Sequence, residues 1–505
     1  MHYISSMIRA VVRSGLRFPA LALIAASALA SAAPAAAHLA LAPCELRSSG
    51  DLMLVKAECG RLPVPQNPAD PHGRWIDLAV AVVPAVRTVP RPDPLFVLAG
   101  GPGEAATTFY AGVASAFALI HRDRDIVLVD QRGTGGSNAL DCPQPRRGRH
   151  DDAGPPTRAQ IIAATEQCLR LLRKHAHVRD YTTDLAVGDL NRVRAALGYR
   201  KIDLYGSSYG TVVAQEYLRR FPRHVRSMIL DGVVPPQVPI GALSALSAQR
   251  AVDRIFAECA AAADCRARFG NPLVTYHHVM SSLAAHPLEL TVPDPTRGTP
   301  VALRLGTYQL GQVLRLASYT PALAALLPLD LHAAAAGNYR PLAGQYLFID
   351  RVYSHAIAVG MNNTVVCSED VPFYHVTAQQ RAAMRRTFLG TAPLRELRTV
   401  CKLWPKGPVA ADFHAPLHSD VPVLLLSGGN DPITPPRYAA LAARGYPHSL
   451  SIVVPQGGHG QLLDPCMDRV MAQFVRRASV VGLNVSCIHA VRPMPFFLTL
   501  NGPGP

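Results

Sequence analysis

From Trp75 onward the chain alternates short apolar runs with segments of helical period. IDLAVAVVPAV (residues 76–86), LFVLAG (95–100) and DIVLVDQRGTGGS (125–137) are strand-like, and the last two end in glycine-rich turns. TTDLAVGDLNRVRAALG (182–198) repeats Leu185, Leu190, Val193 and Leu197 at helical spacing, with Thr183 or Asp184 as N-cap and Gly198 as stop. KIDLYG then predicts a strand, TVVAQEYLRRF a helix and VRSMILDGV another strand. Short strands alternating with helices predict a mostly parallel sheet with helices on both faces.

After Pro235-Pro236 the rhythm changes. Residues 236–415 are rich in Ala, Leu and Arg and read as helices, with LELTV and ALRLG the only strand-like segments. The strand–helix pattern resumes with VPVLLLSGGND (421–431) and SIVVPQGGHG (451–460), followed by the helix DRVMAQFVRRA. The predicted organisation is therefore an α/β core in two parts, residues 38–235 and 416–505, interrupted by a helical cap at 236–415.

The first 37 residues read differently. Arg9, Arg13 and Arg17 precede the apolar stretch FPALALIAASALA and the small-residue stretch ASAAPAAAH. That is the pattern of a secretory signal peptide, with cleavage after Ala32 or Ala37. The apolar stretch is short for a membrane span, and no later segment is long and apolar enough for one, so the expectation is an exported protein, periplasmic or secreted, with no stable membrane insertion. The ten cysteines all follow this segment, and an even number in an oxidising compartment implies disulfides. Connectivity does not follow from sequence; sequential nearest pairing is the simplest hypothesis, because each bridge then closes a short loop. No C-x-x-C pair or His/Cys cluster has zinc spacing, so no metal is expected.

An apolar fraction of 49% against 17% charged residues describes a packed globular chain. The formal charge of +15 comes mostly from arginines spread along the sequence. The densest short run, Arg146-Arg147-Gly148-Arg149, reads as a polar loop, so a solvated basic surface is expected in place of a nucleic-acid site.

The chemistry concentrates in YGSSYGTVVAQEYLRRFP (205–222), where a strand runs into Gly206-Ser207-Ser208-Tyr209-Gly210 and a helix runs out. This is the setting of a nucleophile elbow, a strained turn that lifts a serine hydroxyl clear of the sheet. A serine needs a base, and the base an orienting acid. Asp431 follows the strand VPVLLLSG, and His459 follows SIVVP, in the chain order serine, acid, histidine. Asp464 is a rival acid but lies after the histidine. The oxyanion donors expected are the backbone N–H of Tyr209 and the glycine loop Gly100-Gly101-Pro102-Gly103, with Gly101 its central candidate. Gly101-x-Gly103-x-x-Ala106 with Asp130 also has the outline of a dinucleotide fingerprint. Pro102 inside the glycine run and the exported setting argue against it, and no cofactor is expected.

Together GGPG, DQRGTGGS, GSSYG, GGNDPITP and GGHG resemble the α/β-hydrolase peptidases of the proline iminopeptidase and secreted tripeptidyl aminopeptidase group. The resemblance covers residues from about 75 to 234 and from about 421 onward. It implies an α/β-hydrolase fold with a helical cap, Ser208 as nucleophile, Asp431 as acid, His459 as base and the GGPG loop as oxyanion hole. It departs from the H-G-G-P-G of cytoplasmic members in Ala99, and Glu104 stands where a small or neutral residue is common. The activity expected is release of short N-terminal pieces from peptides with a free N-terminus, with an esterase or amide hydrolase on the same triad as the alternative. A free α-ammonium calls for carboxylates in the cap, and Glu369 and Asp370 are the candidates.

Overall fold

The computed structural model describes residues 39–143 and 154–502. The signal-peptide segment and the Arg146–Arg149 run lie outside the described residues. Nine strands form one sheet: β1 (Ala42–Arg47), β2 (Leu54–Pro65), β3 (Trp75–Val83), β4 (Leu95–Leu98), β5 (Ile126–Val129), β6 (Ile202–Ser207), β7 (Val225–Asp231), β10 (Val423–Gly428) and β11 (Ser449–Val454). Between β7 and β10, β8 (Leu288–Pro293) and β9 (Pro300–Leu305) pair as a separate antiparallel hairpin. The sheet order is β1-β2-β3-β5-β4-β6-β7-β10-β11. From β5 to β11 every pairing is parallel, whereas β1, β2 and β3 add an antiparallel edge.

The periodicity of the central strands explains the two layers of core. Side chains alternate across a strand, so Phe96, Val127 and Leu425 enter one hydrophobic cluster while Leu95, Leu128 and Leu424 enter the other. Both faces are covered, which is why these strands read as unbroken apolar runs. The helices Thr183–Ala196 and Tyr209–Arg220 pack on the first face through Leu190, Val193, Val213 and Tyr217. The helix Met467–Arg477 covers the second through Val470, Met471 and Phe474.

The helix over 183–196 begins earlier than either predicted cap, Thr183 or Asp184, would place it. Thr182, in extended backbone, is the N-cap, and its own side chain makes no capping bond. The role falls to a distant residue, Glu369, as described below. The cap helices between Ser244 and Leu403 enclose a core of their own that includes Phe256, Val279, Leu310 and Leu331. LELTV and ALRLG are the two strands of its hairpin.

Five disulfides join Cys44–Cys59, Cys142–Cys168, Cys259–Cys265, Cys367–Cys401 and Cys466–Cys487, the sequential pattern. No helix among the described residues is long and apolar enough to cross a membrane.

The DQRG turn after β5 locks the core face of the sheet. Asp130 accepts from the Thr107 amide and hydroxyl at 3.0 and 2.9 Å and from the Gly136 amide at 2.9 Å, so its carboxylate is spent on loop geometry. The fully buried Arg132 forms a two-pronged pair with Asp189, at 2.6 and 2.9 Å, and donates to the carbonyls of Gln66 and Asp180. Removing one partner of a buried pair leaves an uncompensated charge, a loss of about 3–5 kcal/mol. Asp189→Ala is expected to reach that range in urea denaturation. Arg132→Met is expected to cost less, because Asp189 keeps Arg192 at 3.0 Å.

Candidate active site

Ser208 sits where β6 becomes the helix Tyr209–Arg220, with φ 53° and ψ −118°. A side chain at positive φ stores on the order of 1–3 kcal/mol of strain, so the surroundings must hold it. The Ser208 amide donates to the Asp231 carbonyl at 2.8 Å, and its carbonyl accepts from the Thr211 amide and hydroxyl at 2.9 and 2.6 Å. The flanking glycines permit a close approach. A Cβ on Gly206 would lie 2.3 Å from the Gly210 oxygen, and one on Gly210 would lie 2.3 Å from the Leu98 oxygen. β4, β6 and the helix can therefore meet only with both Cβ atoms absent.

The GGPG loop leaves β4 beside this turn. Gly101 and Gly103 have φ of 104° and 107°. A Cβ on Gly103 would come 2.7 Å from the Ala358 oxygen, because the cap lies directly on the loop. Ala358 N donates to Gly103 O at 2.9 Å, and Asn362 Nδ2 to Pro102 O at 3.1 Å. Gly101 and Ser208 line one cavity of about 1560 Å³. Tyr209 opens its helix, so its backbone N–H has no acceptor within that helix and adds to the positive end of the helix dipole.

Asp431 pairs with His459, which lines the same cavity as Ser208. His459 Nδ1 stands 2.8 Å from Asp431 Oδ2, while Asp464 makes no hydrogen bond to the ring. The remaining capacity of Asp431 is filled by the amides of Ile433 and Thr434 at 2.8 and 2.7 Å and by the Thr434 hydroxyl at 2.6 Å. Burial opposes the ionised form of Asp431, but the His459 charge and these donors outweigh it and hold its pKa below the ordinary value. Burial likewise opposes an imidazolium at His459. Asp431, with Asp231 and Glu104 further off, overcomes it and raises the imidazole pKa. With Nδ1–H given to Asp431, Nε2 is free to take a proton, and His459 lines the same cavity as Ser208.

Three further residues that sequence reasoning did not single out hold this pair. Tyr319, from the cap, accepts the His459 amide at 2.7 Å and sets its ring edge-on to the imidazole at 5.0 Å. Asp231, at the end of β7, accepts from the amides of Gln461 and Leu462 just after the histidine and from the Tyr205 hydroxyl. Thr434 braces Asp431 and lies 3.1 Å from His459 Nδ1. Only Thr434 carried a local signal, a hydroxyl three residues after an aspartate, the spacing of a side-chain-capped turn.

Glu369 and Asp370 are buried and are not part of the cavity wall. Glu369 instead accepts the Thr183 amide at 2.7 Å and the Thr183 hydroxyl at 2.6 Å, capping the core helix 183–196 from the cap side. Thr183 and Gln131 in turn hold the Tyr209 hydroxyl, at 2.6 and 2.9 Å. Asp370 accepts the Ile240 amide at 2.6 Å, and burial pushes its carboxyl up to about 8. The carboxyls that do line the cavity are Glu104, Asp350, Glu396 and Asp464, against the guanidiniums of Arg315 and Arg492.

Two outcomes follow from this geometry. A protonated His459 cannot accept a proton, so kcat/KM is expected to fall as pH drops through the raised imidazole pKa, with the midpoint above 6.5 in a pH–rate profile. Thr434→Val removes one hydrogen bond to a charged carboxylate, worth about 1.5–3 kcal/mol, so kcat is expected to fall about ten- to a hundred-fold. Thr434→Ser should restore most of it, and steady-state kinetics on the three proteins checks this.

The model of the α/β-hydrolase fold family matches residues 93–465. The serine protease Hip1 of Mycobacterium tuberculosis is 29% identical over 410 residues, covering 75% of this chain and 77% of that protein. Carboxylesterase B of Mycobacterium tuberculosis is 31% identical over 422 residues, covering 75% and 76%. The tripeptidyl aminopeptidase of Streptomyces coelicolor is 34% identical over 191 residues, 35% of each chain. The chain belongs to the α/β-hydrolase fold family and is a serine hydrolase.

Proposed function

We propose that the chain is an exported aminopeptidase that releases short N-terminal pieces from peptides through Ser208, His459 and Asp431. The observation that carries this reading is the 2.8 Å contact of His459 with Asp431 beside an elbow serine, in a cavity large enough for a peptide. His459 takes the hydroxyl proton as Ser208 attacks the scissile carbonyl. Asp431 keeps Nδ1–H engaged and stabilises the imidazolium. The N–H groups of Gly101 and Tyr209 receive the oxyanion, Tyr209 with the help of its helix dipole. His459 then protonates the leaving amine, and water repeats the sequence to free the acyl group.

The wall supports a cationic substrate. In a chain of formal charge +15, four carboxyls and two guanidiniums line the cavity, which suits a peptide's ammonium end. The peptidase names of two relatives point the same way. Five disulfides suit an oxidising compartment, and so export. An esterase on the same residues is the second reading, favoured by the carboxylesterase match over three quarters of the chain.

Fluorogenic mono-, di- and tripeptides with free and blocked N-termini, beside a short-chain ester, test the proposal. Wild type is expected to cleave free-amine peptides preferentially, and Ser208→Ala to lose activity on the order of a million-fold. Ester turnover without peptide cleavage would move the protein to the second reading.

A further inference from the structure

Glu104 stands beside the nucleophile with no part in the acyl transfer just described. Its Oε2 accepts the Gly100 amide at 3.1 Å. The point where a Gly100 Cβ would sit lies 3.2 Å from Ser208 Cβ and 3.5 Å from Glu104 Oε2, so both side chains border the same space that the missing Gly100 side chain leaves. The Glu104 backbone bridges Ile357 of the cap, which fixes the residue between loop and lid. Among the described residues no lysine or arginine forms an ion pair with it. The groups whose charge it feels or affects are the His459 ring and the Tyr205 phenol.

An anion at this place is a poor neighbour for an oxyanion. Burial already pushes the carboxyl up to about 7, with the Gly100 amide and His459 acting in the opposite direction. A cation brought by the substrate would stabilise the ionised form and cancel its repulsion of the developing negative charge. In an unblocked peptide the α-nitrogen is attached to the carbon next to the first carbonyl. When that carbonyl meets Ser208, the ammonium lies within reach of a carboxylate that shares a contact point with the serine.

Resting on the aminopeptidase reading, we propose that Glu104 is the acceptor for the substrate's α-ammonium, and that the preferred substrates carry this amine on the residue whose carbonyl Ser208 attacks. The enzyme then releases single N-terminal residues, and amino-acid amides and esters with a free amine are substrates too. A blocked or more distant amine leaves the Glu104 anion without a partner next to the oxyanion.

The test compares an aminoacyl anilide with a free amine, its Nα-acetyl analogue, a tripeptidyl anilide and a short ester. Wild type is expected to prefer the free aminoacyl anilide. Glu104→Gln keeps an acceptor for the Gly100 amide but removes the charge. It is expected to lower the ratio of aminoacyl to ester kcat/KM by about ten- to a hundred-fold, chiefly through KM. The acid limb of ester hydrolysis should also move to lower pH, because one of the charges that raises the His459 pKa is gone. Glu104→Asp, which retains a withdrawn charge, should fall between. An equal loss on amine and ester, an unchanged ratio, or a wild-type preference for the tripeptidyl substrate overturns the assignment. If free-amine preference survives in Glu104→Gln, Glu104 alone is wrong. If wild type never prefers a free amine, the aminopeptidase reading itself falls.

Discussion

Everything in the site depends on how closely three backbone segments meet at the elbow. β4, β6 and the helix after Ser208 approach until Gly206 would touch Gly210 and Gly210 would touch Leu98 if either carried a Cβ. That approach sets the elbow beside the GGPG loop, where a Cβ on Gly100 would lie 3.2 Å from Ser208 Cβ. It also forces Ser208 to positive φ, a strain offset by the hydrogen bonds that its amide donates to the Asp231 carbonyl of β7 and that its carbonyl accepts from Thr211.

The cap is more than a cover over a finished site. Tyr319 holds the His459 backbone, Ala358 and Asn362 hold the GGPG loop, and Glu369 caps the helix that buttresses Tyr209. The His459 turn and the GGPG loop are thus held directly by cap residues, and Tyr209 indirectly, through Thr183. A functional constellation kept this precise by packed neighbours needs little reorganisation when charge develops. Changes in cap sequence therefore reach the core loops through these hydrogen bonds.

Charge in the site is asymmetric. Asp431, Asp231 and Glu104 all favour the imidazolium at His459, yet only Asp431 touches the ring. Asp231 is filled by backbone amides and by Tyr205, and burial pushes its carboxyl up to about 6. Glu104 is the one of the three open to the cavity.

Much of this was legible from the residues alone. The continuous apolar runs, the Gly-x-Ser-x-Gly turn between strand and helix, and Asp431 and His459 at strand ends are local patterns, because strand period and turn chemistry are local physics. β1 and β2 were missed, since Ala42–Arg47 and Leu54–Pro65 form an edge whose half-exposed positions carry only a weak period. The amine candidates Glu369 and Asp370 illustrate the other limit. Two adjacent acids read the same in sequence whether they face a substrate or cap a helix. Only the packing of cap on core turned Glu369 onto Thr183, because contacts between remote segments are settled by how surfaces fit and leave no trace in local order.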